Sequence, residues 1–208
     1  MLAAFTAGLL LITVSELGDK TFFIAMLLAM RHSRRLVFVG AIAALAAMTV
    51  LSVLMGQVVS LLPKMVLHVA EVVLFVGFGI KLLYDASQMS STAICEEVKE
   101  AEETIQQADT LTKKRGMRRG IVLQAFALTF VGEWGDRTQF ATIALAAAKD
   151  PWGVTAGAIA GHAICAAIAV MGGRLLAAHL SEKLITGIGG ALFILFGVLA
   201  WMEGTGVH

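Results

Sequence analysis

Glu133-Trp134-Gly135-Asp136-Arg137-Thr138 restates, with two changes of residue, the earlier stretch Glu16-Leu17-Gly18-Asp19-Lys20-Thr21. Each copy sits midway along an apolar run long enough to cross a bilayer. A charged side chain at the centre of a membrane helix costs about 2.5–3.5 kcal/mol on insertion scales, so such residues face a bundle interior or a pathway and not lipid. The rest of the chain reads as the means of bringing the two stretches together.

Composition agrees with a membrane setting. The chain is 58% hydrophobic and 15% charged, with a mean hydropathy of +0.84, outside the soluble range for 208 residues. The lipid bilayer is thus its surrounding partner. A net charge of +1, with basic residues that do not interleave with aromatics, excludes a nucleic-acid strip. Cys95 lies in a polar linker and Cys165 in an apolar run, so no disulfide is expected. The first residues, Met1-Leu2-Ala3-Ala4-Phe5, carry no basic group and lead straight into the first motif. They read as a retained membrane helix and not as a signal peptide.

A span needs about 20 mainly apolar residues. Windows at 3–29, 37–61, 66–88, 120–148, 153–178 and 184–203 qualify. The breaks are a basic turn at Arg31–Arg35, Leu62-Pro63-Lys64, the polar linker from Met89 to Arg119, Lys149-Asp150-Pro151, and the stretch from Ala178 to Lys183. Three regions follow: 1–88, a first three-helix repeat; 89–119, a linker that is helical in part and solvated; and 120–208, a second three-helix repeat.

Basic residues orient the chain. The loops after spans one, three and five carry Arg31, Arg34, Arg35, Lys99, Lys113, Lys114, Arg115, Arg118, Arg119, Arg174 and Lys183, and the opposite side only Lys64 and Lys149. The positive-inside bias makes the linker cytoplasmic and places both termini outside.

The two motifs lie 117 residues apart, and the same offset pairs Gly40 with Gly157 and Gly56 with Gly173. At an offset of 118, Phe75, Phe78, Gly79 and Asp85 pair with Phe193, Phe196, Gly197 and Glu203. Three helices therefore align with three helices. An odd number of spans per half turns the second half over, giving an all-α membrane protein of six helices as a 3+3 inverted repeat. Secondary transporters built this way hold their substrate near the midplane, between the repeats. Gly153, Gly157 and Gly161, every fourth residue, mark a helix face for close packing, and Gly187, Gly189 and Gly190 loosen the start of the sixth helix.

On a continuous helix Glu16, Asp19 and Lys20 share one arc with Phe23 and Thr13, as do Glu133, Asp136, Arg137, Phe140 and Thr129. Gly18 and Gly135 either let a neighbour pack closely or ease a local break. Face to face, the stripes offer a metal site of Glu16, Asp19, Glu133 and Asp136. Lys20 and Arg137 hold and neutralise the carboxylates, and Thr21, Thr138 and Gln139 add neutral oxygens. Four carboxylates and two cations leave two formal negative charges, which one divalent ion neutralises. Oxygen ligands suit Mg²⁺, Ca²⁺ and Mn²⁺, and neither motif has an adjacent Cys or His to make a zinc site of the N/S type. Clustered carboxylates in a dry cavity cannot all stay ionised once the cation leaves, so protons are expected in its place. The plainer alternative makes Glu16–Lys20 and Glu133–Arg137 structural i,i+4 ion pairs.

Other polar residues in apolar runs carry weaker signals. His162 is a proton relay or a hydrogen-bonded core histidine. Glu71 guards an entrance or is a water-exposed helix end. Lys81 and Asp85 form a structural or snorkelling pair, and Met26, Met30, Met48 and Met55 are filler. A small organic solute exporter and an intramembrane metal-dependent lipid-phosphate hydrolase are the rival functions. No Ser, Cys or His nucleophile stands beside the carboxylates, so the chain does not read as an enzyme, and no cofactor is expected. Six helices suffice for one pathway without an oligomer.

The twin Glu-x-Gly-Asp-(Lys/Arg)-Thr motifs, at Glu16–Thr21 and Glu133–Thr138, resemble those of the manganese/calcium–proton exchanger family. That family includes bacterial manganese exporters, chloroplast manganese transporters and the Golgi transporter transmembrane protein 165. The resemblance spans essentially the whole chain. It implies exchange of a divalent ion, Mn²⁺ in bacterial members and Ca²⁺ as a second ion, for protons. It also implies a bacterial inner-membrane location and export from the cytoplasm.

Overall fold

The computed structural model describes the backbone of residues 1–89, 93–112, 117–177 and 182–205, and the side chains of 1–89, 98–107, 118–172 and 183–204. Among the described residues the chain is helical throughout, with no strand. In order the helices are α1 (Leu2–Glu16), α2 (Lys20–Arg31), α3 (Arg34–Val59), α4 (Lys64–Gln88), α5 (Ala93–Thr112), α6 (Met117–Gly132), α7 (Arg137–Ala148), α8 (Pro151–Ala177) and α9 (Glu182–Thr205). Lys113, Lys114 and Arg115, three of the residues used for orientation, lie outside the described residues, as do the side chains of Cys95 and Arg174.

Among the described residues four helices are long and apolar enough to cross a membrane singly: Arg34–Val59, Lys64–Gln88, Pro151–Gly172 and Lys183–Gly204. A fifth span results if α1 and α2, bent by 68° at their junction, are counted as one. The expected windows 3–29 and 120–148 are therefore not continuous helices; each is cut at its motif. The cause is local and occurs twice. Leu17 (φ −66°, ψ 118°) followed by Gly18 (φ +79°) forms a type II turn, closed by the Asp19 N–H donating to the Glu16 carbonyl at 3.3 Å. Gly135 (φ +81°) occupies the same turn position, with the Asp136 N–H donating to the Glu133 carbonyl at 3.2 Å. Asp19 and Asp136 then stand at the N-caps of α2 and α7. The single arc of Glu16, Asp19 and Lys20 is corrected accordingly: the glutamate ends one helix, and the aspartate and the basic residue begin the next.

The other starts obey ordinary rules. Pro63 precedes α4 as its N-cap. At α8 the Asp150 carboxylate accepts from the Gly153 N–H at 2.7 Å, and Pro151 occupies the first helical position, where no N–H is needed.

Helices from the two ends of the chain pack against one another. Helix α1 packs on α8 and α6 on α3; α2 packs on α8 and α7 on α3; α4 packs on α9. Phe75 meets Phe193 edge to face at 5.8 Å and Phe196 at 5.9 Å. A Cβ on Gly79 would strike Ile194, and one on Gly197 would strike Val76. Gly40 lies against the Val122 carbonyl of α6, and Gly157 against the Phe5 carbonyl of α1. At Gly157 the neighbouring backbone leaves no room for a methyl group. Gly157→Ala is therefore expected to destabilise the protein by about 1–3 kcal/mol or more, as overpacking does. A thermal melt in detergent checks this, and a wild-type melting temperature would contradict it.

The linker is more than a solvated connector. Ala101 and Ile105 of α5 are fully buried in the core formed by α2 and its neighbours, with Val98 packed alongside. Ion pairs of Lys20 with Glu100 at 3.2 Å and of Arg31 with Glu102 at 3.1 Å fasten α5 along α2.

Candidate metal centre

The two helix breaks bring their glutamates into the protein interior. Glu16 is 3% exposed and Glu133 2%. Carboxylate oxygens of Glu16, Asp19 and Glu133 all lie within 4.8 Å of one another, close enough to share one ion. These three come from both motifs. Among the described residues Asp136 does not join that cluster. Its Oδ2 accepts from the Thr138 N–H at 3.3 Å and from the Thr138 hydroxyl at 3.2 Å, which caps α7. It is nevertheless near enough for its charge to act on both Glu16 and Glu133.

Hydroxyls orient the glutamates. Thr21 Oγ1 of the first motif donates to Glu133 Oε1 of the second at 2.6 Å, and Thr138 Oγ1 lies 3.4 Å from Glu133 Oε2. Glu16 Oε1 is buried with no hydrogen-bond partner. Gln139 accepts the Gly135 N–H at 2.8 Å, which braces the turn, and points its amide at Met48 Sδ, 3.2 Å away. Gln139 thus supports the backbone break. Met48, read from the sequence as filler, is part of that support; a methionine among apolar residues gives no signal of it.

The basic residues divide. Arg137 crosses to the opposite motif and pairs with Asp19 at 3.5 Å. Lys20 turns away from the carboxylates to Glu100 of α5. Its expected place beside the metal ligands is thus corrected: once the helix breaks before it, Lys20 starts a new helix whose outer face carries α5. The alternative of i,i+4 pairs within each motif also fails, because these two partners are 80 and 118 residues away.

Two cavities run along α4 to the aspartates of the motifs, the first also bordered by α9 and the second by α7. One, of about 90 Å³, is bordered by Gly18, Asp19, Arg137, Leu82, Met89 and Ile185. The other, of about 220 Å³, is bordered by Asp136, Arg137, Gly135, Phe140, Lys81 and Asp85. Lys81 and Asp85 thus line a polar cavity at the site, which the sequence reading of a structural or snorkelling pair did not contain. Both cavities involve the C-terminal half of α4, the end that leads into the linker. At the other end Glu71 is buried at 7% exposure, so it is not a water-exposed helix end. It lies in the field of Lys149 and Glu203, which pair with each other at 2.8 Å.

Oxygen donors of this kind, clustered and dry, can hold a hard divalent cation. Comparison with known proteins agrees. The family model described as the divalent cation/proton antiporter GDT1 matches residues 4–90 and 121–208, leaving out most of the linker. A GDT1-like protein of Synechocystis is 61% identical over 201 residues, 97% of this chain and 98% of that protein. A chloroplastic GDT1-like protein 2 of Oryza sativa is 43% identical, covering 94% of this chain and 60% of its own length. The chloroplastic PAM71-homolog of Arabidopsis thaliana is 41% identical, covering 93% and 58%. No solved structure matches the chain.

Proposed function

The chain belongs to the divalent cation/proton antiporter GDT1 family, and within it we propose that this protein exports Mn²⁺, with Ca²⁺ as a second substrate, in exchange for protons. That family consists of transporters and not enzymes. One observation carries the reading: buried carboxylates from two helix breaks, Glu16, Asp19 and Glu133, converge within 4.8 Å.

In this reading those three groups seat the cation, and Asp136 is the fourth carboxylate, on the cavity side. Thr21 holds Glu133 in place, and Thr138 holds Asp136. Arg137 balances the charge of Asp19 while the cation is away. Two buried glutamates with Asp19 among them and Asp136 beside them cannot all stay charged when the ion departs, so each departure draws protons in. The exchange is thus built into the electrostatics of the site. The broken spans are counted as crossing the membrane, which gives six spans in two inverted halves. The exchange-related packing of α1·α8 with α3·α6, and of Phe75 with Phe193, supports that arrangement. In this reading the linker is cytoplasmic, in an inner membrane, and the cavity bordered by Met89 and Ile185 lies on the cytoplasmic side of the cation seat.

Inverted membrane vesicles test the coupling. With an acid interior, cation uptake should run and should collapse on addition of a protonophore. Uptake indifferent to the pH gradient would contradict the exchange.

A further inference from the structure

A third cavity lies against the site and shares no lining residue with the two along α4. It is bordered by Glu16, Thr21, Thr129, His162 and Cys165 and closed by apolar side chains of α2, α3 and α8. Three of its lining residues carry a buried polar atom without a hydrogen-bond partner: Glu16 Oε1, Thr129 Oγ1 and His162 Nδ1. These residues are 3%, 1% and 5% exposed. Cys165, by contrast, is satisfied, donating to the Thr13 carbonyl at 3.3 Å. Buried polar groups go unpaired only rarely, because a desolvated group without a partner has lost its bonds to water and gained none. Three such residues line one small cavity of about 10 Å³, room for a single water at most, and an ordered internal water makes about three hydrogen bonds.

We propose that this cavity holds one water molecule that links Glu16 Oε1 to Thr129 and His162 and so fixes the Glu16 carboxylate for the cation. The inference rests on Glu16 being a cation ligand, as read above. Water both donates and accepts, so it can serve the carboxylate, the hydroxyl and either tautomer of the imidazole at once. His162 and Thr129 are then positioning residues, one step removed from the ion. The site lies off the cavities along α4, so the water stays when the cation passes. Glu133 has no such need, since the Thr21 hydroxyl holds it directly at 2.6 Å. The water does for Glu16 what Thr21 does for Glu133.

The test is Mn²⁺ binding to the full-length protein in nanodiscs, read from the free-ion signal in electron paramagnetic resonance. Partners of this kind set metal affinity by roughly 10–100-fold. Thr129→Val, which keeps the shape of threonine, and His162→Leu should each weaken binding by about that factor. The double variant should be no weaker than the worse single, because both act through the same water. His162→Gln, which can still hydrogen-bond to the water, should regain most of the affinity. Wild-type affinity in both Thr129→Val and His162→Leu, or losses that multiply in the double variant, would overturn the water. Failure of the wild-type protein to bind Mn²⁺ would overturn the exchange reading along with it.

Discussion

Glu133→Gln and Glu16→Gln should each abolish cation transport while leaving the protein folded. The amide matches the carboxylate in size, and at position 133 it can still accept the Thr21 hydroxyl that the native side chain holds at 2.6 Å. What it removes is one charge from a cluster whose members lie within 4.8 Å of each other. Substitutions that only support a metal ligand cost roughly 10–100-fold in affinity; loss of a ligand's charge in so dry a site should exceed about 100-fold. The same change relieves repulsion among buried like charges, so both variants should melt no lower than the wild type in the absence of cation. Transport by proteoliposomes, alongside a melt, separates the two effects. Transport within about tenfold of wild type in either variant, the loss expected of a residue that only supports a ligand, would contradict the assignment.

Gly135→Ala should produce the second largest effect on transport, for a reason unrelated to crowding. Nothing lies within 4 Å of the position its methyl group would take, so a contact argument predicts no effect. The backbone argument predicts a large one. At φ +81° an L residue pays about 1–2 kcal/mol relative to glycine, an amount that changes a two-state balance by roughly 5–30-fold. Here the balance is between a type II turn and a helix running on. Only the turn sets Glu133 at the end of α6 and Asp136 at the start of α7. Transport should therefore fall by about tenfold, and Gly135→Asn, which tolerates the left-handed region better, should retain more of it. Gly18→Ala should behave alike, since its methyl group would meet only Ile185, at an ordinary 3.7 Å. Equal rates for Ala, Asn and Gly at position 135 would contradict a role for the turn.

Much of this was legible in the sequence because charge and hydropathy act locally. Glu16, Asp19 and Glu133 stand out for sitting in apolar runs; the offset that pairs Phe75 with Phe193 falls on residues that meet in α4 and α9, and the paired Gly79 and Gly197 each admit the opposite helix, at Ile194 and at Val76. The breaks were less visible. Apolar flanks on both sides read as one uninterrupted span, yet x-Gly-Asp carries the marks of a type II turn followed by an N-cap. The docking of α5 was hidden under its charges, although Val98, Ala101 and Ile105 lie on one helical face. Pairings such as Lys20 with Glu100 and Arg137 with Asp19 have no local signature at all, because only the folded chain decides which distant partner a long basic side chain reaches.

The cation seat itself is open to direct observation. Crystals of the wild-type protein grown with Mn²⁺ should give one dominant anomalous peak within coordinating distance of Glu16, Asp19 and Glu133 together. A peak elsewhere in the membrane region, with those three side chains bare, would contradict the account at its root.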